Sequence, residues 1–134
     1  MKVKQLVLKQ KGDIWEKRNS NLNEFLNDRL IIRTNDYIHI IDIRKISFIQ
    51  ASSNYSKINI MGEKSILSSK TLKHFEEKLI NKGFLRIHSS YLVNSACISG
   101  IIKNGIWTIA LQDNTKLPIS RSYKERLFNI LRLK

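Results

Sequence analysis

Phe84-Leu85-Arg86-Ile87-His88-Ser89-Ser90-Tyr91-Leu92-Val93-Asn94 is the stretch that decides how this sequence folds. Leu85 and Ile87 alternate with Arg86 and His88, the period-two pattern of a strand with one buried face. A His, two Ser, a Tyr and an Asn then gather around the apolar Leu92-Val93 pair. Hydrogen-bonding side chains are thus concentrated where the strand gives way to a tight turn or short helix. Residue types alone predict a rigid turn presenting polar groups, with the charge of Arg86 beside it. They do not name its partner.

Just before this stretch lies the one internal helix the sequence predicts, Thr71 to Lys82. Leu72, Phe75, Leu79 and Ile80 recur at helical spacing, Thr71 or Ser69 can cap the start, and Gly83 stands at the stop. Lys73, Glu76, Glu77 and Lys78 form the opposite face and are expected to be solvated. The chain before this helix reads as β. Leu30–Thr34, the turn Asn35-Asp36 and Tyr37–Ile41 give a hairpin signal, and Ile46–Ile49 is the next strand after a connection from Ile43. Polar residues 50–56 read as a loop, Lys57–Ile60 as a strand with Ile58 and Ile60 inward, and Lys64–Leu67 as a strand pairing back.

Beyond the organising stretch come Cys97–Ile102 and Ile106–Leu111, joined by a Lys103-Asn104-Gly105 turn. Lys116–Ile119 follows, and Pro118 marks it as an edge strand. Ser122-Tyr123-Lys124-Glu125 has the form of a capping box, opening a last helix with Tyr123, Leu127, Ile130 and Leu131 as its apolar stripe. The sum is a mostly-β domain with small α content, of about ten short strands. It is expected to occupy residues 30–134. Residues 1–29 read as an extension or linker, with a short helix near 21–28 built on Leu22, Phe25 and Leu26 and capped by Ser20.

Charge bounds the function. Twenty-four Lys and Arg against eleven Asp and Glu give a net +13, which calls for a polyanionic partner. Nucleic acid comes first and an anionic membrane surface second. No apolar run is long enough to span a bilayer, and Lys9-Gln10-Lys11 interrupts the start before a secretory apolar region can form. The single cysteine, Cys97, rules out a disulfide within the chain and suits a reducing cytoplasm. Catalytic readings find little support. His39, His74 and His88 are far apart, Cys97 lacks a neighbour at zinc-ligand spacing, and the five glycines are scattered. Cys97 reads as a small buried hydrophobe, although a spatial pairing with His88 stays open. The expectation is a non-enzyme with no cofactor, no metal and no small-molecule substrate.

The 84–94 stretch resembles the signature of the LytTR family of bacterial DNA-binding domains, which usually reads Phe-x-Arg-x-His-Arg-Ser-Tyr-x-Val-Asn. Ile46-Ser47-Phe48-Ile49-Gln50-Ala51-Ser52-Ser53-Asn54-Tyr55 and Leu117-Pro118-Ile119-Ser120-Arg121-Ser122-Tyr123 are similar to two further family motifs, in the family's order. The likeness covers roughly residues 30 to 131. It implies an elongated assembly of short antiparallel sheets. It also implies sequence-specific binding of duplex DNA by a cytoplasmic transcriptional regulator, or by the output domain of a response regulator. Such domains insert loops into successive major grooves, bend the duplex and act on paired direct repeats in promoters, so a homodimer on DNA is expected. The chain is too short to add a receiver domain, so it is expected to be a stand-alone regulator or an excised C-terminal half.

Carried onto this sequence, the resemblance places the DNA-contacting residues in three segments expected to form one basic edge. In the first, Asn54 reads an adenine, Tyr55 touches sugar or phosphate, and Lys57 supplies charge. The second holds Arg86, His88 and Ser89. Ser89 stands where the family commonly has Arg or Asn, and its short hydroxyl reaches only a phosphate or a nearby base. His88 is open to two roles, a DNA ligand or a structural residue fixing the turn, whereas Tyr91, Val93 and Asn94 read as structural. In the third, with Tyr123 and Lys124, Arg121 can aim its guanidinium at guanine O6 and N7; its alternatives are a phosphate contact or a surface ion pair. Two rival functions remain. One is a basic protein-interaction module docking on an acidic partner or anionic membrane. The other is RNA binding through Tyr55 and Tyr91, for which no recognition signature is present.

Overall fold

A computed structural model describes residues 21–133 as ten strands in three antiparallel sheets with three helices. β1 (Arg29–Arg33) and β2 (Ile38–Asp42) form a two-stranded hairpin. The central sheet holds β3 (Ile46–Ser52), β4 (Tyr55–Ile60), β5 (Ile66–Ser68), β6 (Phe84–His88) and β7 (Tyr91–Asn94), in the order β5-β4-β3-β7-β6. The third sheet orders β8 (Ile98–Ile102), β9 (Thr108–Leu111) and β10 (Lys116–Pro118) as β10-β9-β8, leaving Pro118 on an edge as expected. Residues 21–27 form helix α1, while α2 spans Leu72–Leu79 and α3 spans Arg121–Leu131. The mostly-β expectation therefore holds. α1 falls where Leu22, Phe25 and Leu26 predicted a helix, but all three are exposed, and its proposed cap Ser20 lies outside the described residues.

The central sheet buries both of its faces, and the period of two explains how. Leu92 and Val93 are neighbours in β7, both 0% exposed, yet they enter different cores. Leu92 joins Ile49 and Ile58 beneath Leu72, Phe75 and Leu79 of α2 and Leu30 and Ile32 of the hairpin. Val93 joins Ile87, Ile109, Leu111, Leu117 and Leu127, with Phe48 and Tyr91 packed against them. Successive residues of a strand point to opposite faces, so an adjacent apolar pair is what a strand covered on both sides requires.

Several capping devices sit where residue type predicted them. The Thr71 hydroxyl accepts from the His74 amide at 3.2 Å, and Gly83 takes φ +85 after the last turn of the helix. Asn94 is buried, donates to the Ile46 carbonyl at 2.9 Å and accepts from the Ala96 amide at 3.0 Å, opening a 3-10 turn over Ser95–Cys97.

Other expectations need correction. The loop expected at 50–56 is mostly strand, because β3 and β4 run to a two-residue turn at Ser53-Asn54, with Ser53 at φ +54. Backbone ladder bonds form regardless of side-chain polarity, and Gln50 and Lys57 lie on incompletely covered sheet surface. Ile80 is 53% exposed because α2 ends at Leu79 and tightens into a 3-10 turn, rotating Ile80 off the buried face. The last helix starts earlier than the capping box implied: Ser120 is its N-cap and Ser122 is already inside, so the box does not form. Of its expected stripe, Leu127 is buried while Ile130 and Leu131 are exposed; Phe128 instead packs on Trp107, ring centroids 4.9 Å apart.

These assignments predict unequal costs for two similar truncations. Leu92→Ala should lower stability by about 2–5 kcal/mol, and Ile130→Ala by about 0.5 kcal/mol or less, read from urea unfolding midpoints. Equal costs would contradict the assignment of the two cores.

Candidate nucleic-acid interface

Residues 52–57, 86–90 and 121–124 are distant in sequence, and two backbone hydrogen bonds tie their bases together. The Ala51 amide donates to the Ser90 carbonyl at 2.9 Å, tying the end of β3 to the β6–β7 turn. The Ser120 amide donates to the Ile87 carbonyl at 2.9 Å, tying the start of α3 to β6. Ile87 sits at a register shift between Arg86 and His88, where no β7 residue stands opposite it. That bulge, on an edge strand, leaves its carbonyl for Ser120.

Arg86 holds the turn from beneath. Its Nε donates to the His88 carbonyl at 2.7 Å and its Nη2 to the Ser89 carbonyl at 2.7 Å. Nη1 donates to Glu76 Oε1 at 2.6 Å, and the guanidinium carbon lies 5.6 Å from the Tyr123 ring centre. Only 11% of the Arg86 side chain is exposed. Glu76 also approaches Arg126 of α3 at 3.8 Å. Glu76 is therefore not the solvated residue expected from its helix face; it links α2, β6 and α3. Adjacent helical residues diverge, which is why Glu77 remains exposed while Glu76 does not.

His88 turns its Nδ1 toward the same turn, where it accepts from the Ser90 amide at 3.0 Å and lies 3.5 Å from Ser89 Oγ. An accepting Nδ1 puts the proton of the neutral ring on Nε2. The ring packs against Tyr91 with centroids 5.4 Å apart. Of the two roles open to His88, the turn-fixing one is visible in this geometry.

Asn54, Tyr55 and Ser89 border one hollow of about 520 Å³, with Thr71 and Lys73 from the start of α2 on its rim. Asn54, Tyr55, Lys73 and Ser89 are exposed. Sequence reading missed Lys73, because only the packing of α2 on the central sheet brings it to the same hollow as Ser89. Lys57 does not line this hollow. It belongs to a cross-strand row running Lys57, Gln50, Tyr91 and His88, all half-buried.

Arg121, first residue of α3, borders a separate hollow of about 470 Å³ with Trp107, Ile119 and Lys124. It is exposed, and no carboxylate lies within ion-pair distance of it among the described residues. The Lys124 ammonium rests 3.8 Å from the centre of the Trp107 ring, a cation–π contact on a residue that sequence reading did not single out. Tyr123 is half-buried against Arg86.

Cys97 is buried in the second core, and burial pushes its thiol up, away from the reactive thiolate. Among the described residues, no group of His, Cys, Asp and Glu could hold a metal ion, and no helix is long and apolar enough to cross a membrane.

Comparison with known proteins agrees with this architecture. The family model for the LytTr DNA-binding domain matches residues 36–132, more than half of the chain. The sensory transduction protein LytT of Oceanobacillus iheyensis is 32% identical over 108 residues, covering 78% of this chain and 44% of that protein. LytT of Bacillus subtilis is 27% identical over 107 residues, with coverages of 78% and 44%. The chain thus spans less than half the length of these curated relatives. A solved LytTr DNA-binding domain from Bacillus cereus, of a protein described as a methyl-accepting/DNA response regulator, superposes with a TM-score of 0.69 at 21% identity. The match covers 78% of this chain and 96% of that one, and supports the fold.

The Arg86 network predicts that Glu76→Ala destabilises the domain by about 1.5–3 kcal/mol, the range for hydrogen bonds to charged groups. Amide exchange at Ser90 should accelerate in the same variant as the turn loosens. Unchanged protection at Ser90 would mean that Arg86 does not hold the turn.

Proposed function

Because this chain belongs to the LytTR family of DNA-binding domains, we propose that it binds duplex DNA sequence-specifically as part of a bacterial transcriptional regulator. It reads its site through the edge formed by residues 52–57, 86–90 and 121–124. The observation that supports this reading is the pair of backbone hydrogen bonds, Ala51 to Ser90 and Ser120 to Ile87, that ties the bases of those three segments together. The relatives' role in sensory transduction extends the proposal: the domain serves as the output part of a signal-responsive regulator in the cytoplasm.

Each side chain's role follows from its freedom. Arg121 is exposed and unpaired among the described residues, so its planar fork is available for a bidentate contact to guanine. Asn54 sits at the tip of the β3–β4 turn and suits adenine, while exposed Tyr55 and Lys73 suit sugar and phosphate. Ser89 contributes a short contact from the same hollow. Lys124, on the Trp107 ring, and Lys57, on the sheet face, add positive potential. Arg86 acts differently. Its donors are engaged within the domain, so it is a positioning residue for His88 and Ser89, and Tyr123 supports it.

Loops inserted into successive major grooves, a bent duplex and paired direct repeats occupied by two copies complete the proposal. Bending brings more phosphates within reach of a net charge of +13 than a straight approach does.

Arg121→Ala should weaken binding to preferred promoter fragments by about 1–3 kcal/mol and narrow the preference over scrambled duplex, with the melting temperature unchanged. Fluorescence anisotropy against both duplexes reads this. An unchanged preference removes Arg121 from base reading, and wild-type binding no better to duplex than to heparin favours a basic docking module instead.

A further inference from the structure

The segment that leads into α2 separates two hollows. Thr71 and Lys73 face the one shared with Asn54 and Ser89. Ser68, Ser69 and Lys70 face another, of about 420 Å³, closed by His74 and Lys78 of α2 and by Ile31 to Arg33 of β1. Its floor is apolar and fixed, because Ile32 and Phe75 are buried in the first core. Its rim is cationic. Arg33, Lys70 and Lys78 are exposed, no Asp or Glu lines the hollow, and none of the three cations has a carboxylate within ion-pair distance among the described residues.

The bend carrying Lys70, just past β5, is held by two hydrogen bonds. The Lys70 carbonyl accepts from the buried Ser56 hydroxyl at 2.7 Å, and the Lys70 amide donates to Ser68 Oγ at 3.1 Å. His74 registers the local field: burial first, then Lys78 and Lys70, hold its pKa below the usual value, with Glu77 opposing. Like charges that share the rim of one hollow repel, and a bound anion relieves that repulsion.

We propose that this hollow is a second phosphate cradle, gripping the sugar–phosphate backbone of the same duplex beyond the stretch read at the 52–57 and 86–90 edge. The proposal rests on the DNA-binding reading above. Duplex DNA is favoured over an acidic peptide by continuity: Lys70 and Lys73 bracket Thr71-Leu72, one lining the cradle and the other the reading hollow, so positive charge passes from one to the other. Lysine ammonium groups act as point charges that suit phosphate without reading bases. The cradle therefore adds affinity and footprint length, with no sequence information.

The test replaces Arg33, Lys70 and Lys78 together by Gln, with Lys78→Gln alone as a milder variant, and confirms folding by thermal melting. Anisotropy titrations on preferred and scrambled duplexes run between roughly 50 and 200 mM salt. The expected log K against log salt slope is shallower by about 0.9 for each phosphate that is no longer neutralised, so by about 2–3 in the triple variant. Affinity falls by the same factor on both duplexes, the preference is kept, and the nuclease footprint shortens at one end. In the wild type, duplex should raise the NMR titration midpoint of His74, which feels Lys78, Lys70 and Glu77 and shares the hollow with Arg33. A triple variant with an unchanged slope overturns the cradle while leaving sequence reading intact. Inorganic phosphate that raises the His74 midpoint alongside an unchanged slope identifies a free-anion site instead, and also overturns it. A wild type without preference overturns the reading of sequence, and the cradle is then judged on the slope alone.

Discussion

The guanidinium of Arg86 is the interaction on which the rest of the edge depends. One planar group satisfies two carbonyls of the β6–β7 turn and a carboxylate of α2, beside an aromatic ring of α3. With 11% of its side chain exposed, little water competes for its donors, so these charge-assisted bonds count far more than a surface pair. The Asp42–Arg44 pair makes the contrast. It too is short, at 2.8 Å, and it holds the Asp42 carboxyl down to about 2, yet the Arg44 side chain is 78% exposed and solvent screens the attraction.

From that anchor the geometry of the edge follows. Arg86 sets the carbonyls of His88 and Ser89; His88 Nδ1 accepts from Ser90; the Ser90 carbonyl receives the Ala51 amide; and Ile87, between them, receives Ser120. The start of α3 and the end of β3 are thus positioned by a turn that is itself braced. Behind the turn, the two cores on opposite faces of the central sheet make the scaffold stiff. Short exposed tips on such a scaffold suit recognition, because little conformational freedom remains to be lost when DNA binds.

Much of this was legible in the residues where chemistry is local. Thr71 as a cap, Gly83 at a left-handed stop, Ile58 and Ile60 inward, Pro118 on an edge and Asn94 at a turn each follow from one residue's own preferences. What escaped depends on partners far away in sequence. Glu76 looked solvated until Arg86 and Arg126 came to it, and Lys73 looked like any helix-surface lysine until it lined one hollow with Ser89. Trp107 gained its meaning from Lys124 and Phe128. The strand character of residues 50–56 escaped for a different reason. Polar residues on sheet surface that is not fully covered look like a loop, although the ladder beneath them is regular.

The most direct test of the central claim, that three segments form one DNA-reading edge, is an amide chemical-shift titration of the protein with its preferred duplex. Ser53 to Tyr55, His88 to Ser90 and Arg121 to Lys124 are expected to shift together at the same ratio of DNA to protein, while buried Ile109 and Leu111 of β9 stay still. Shifts at Arg121 with silence at Ser53 to Tyr55 and His88 to Ser90 would contradict it.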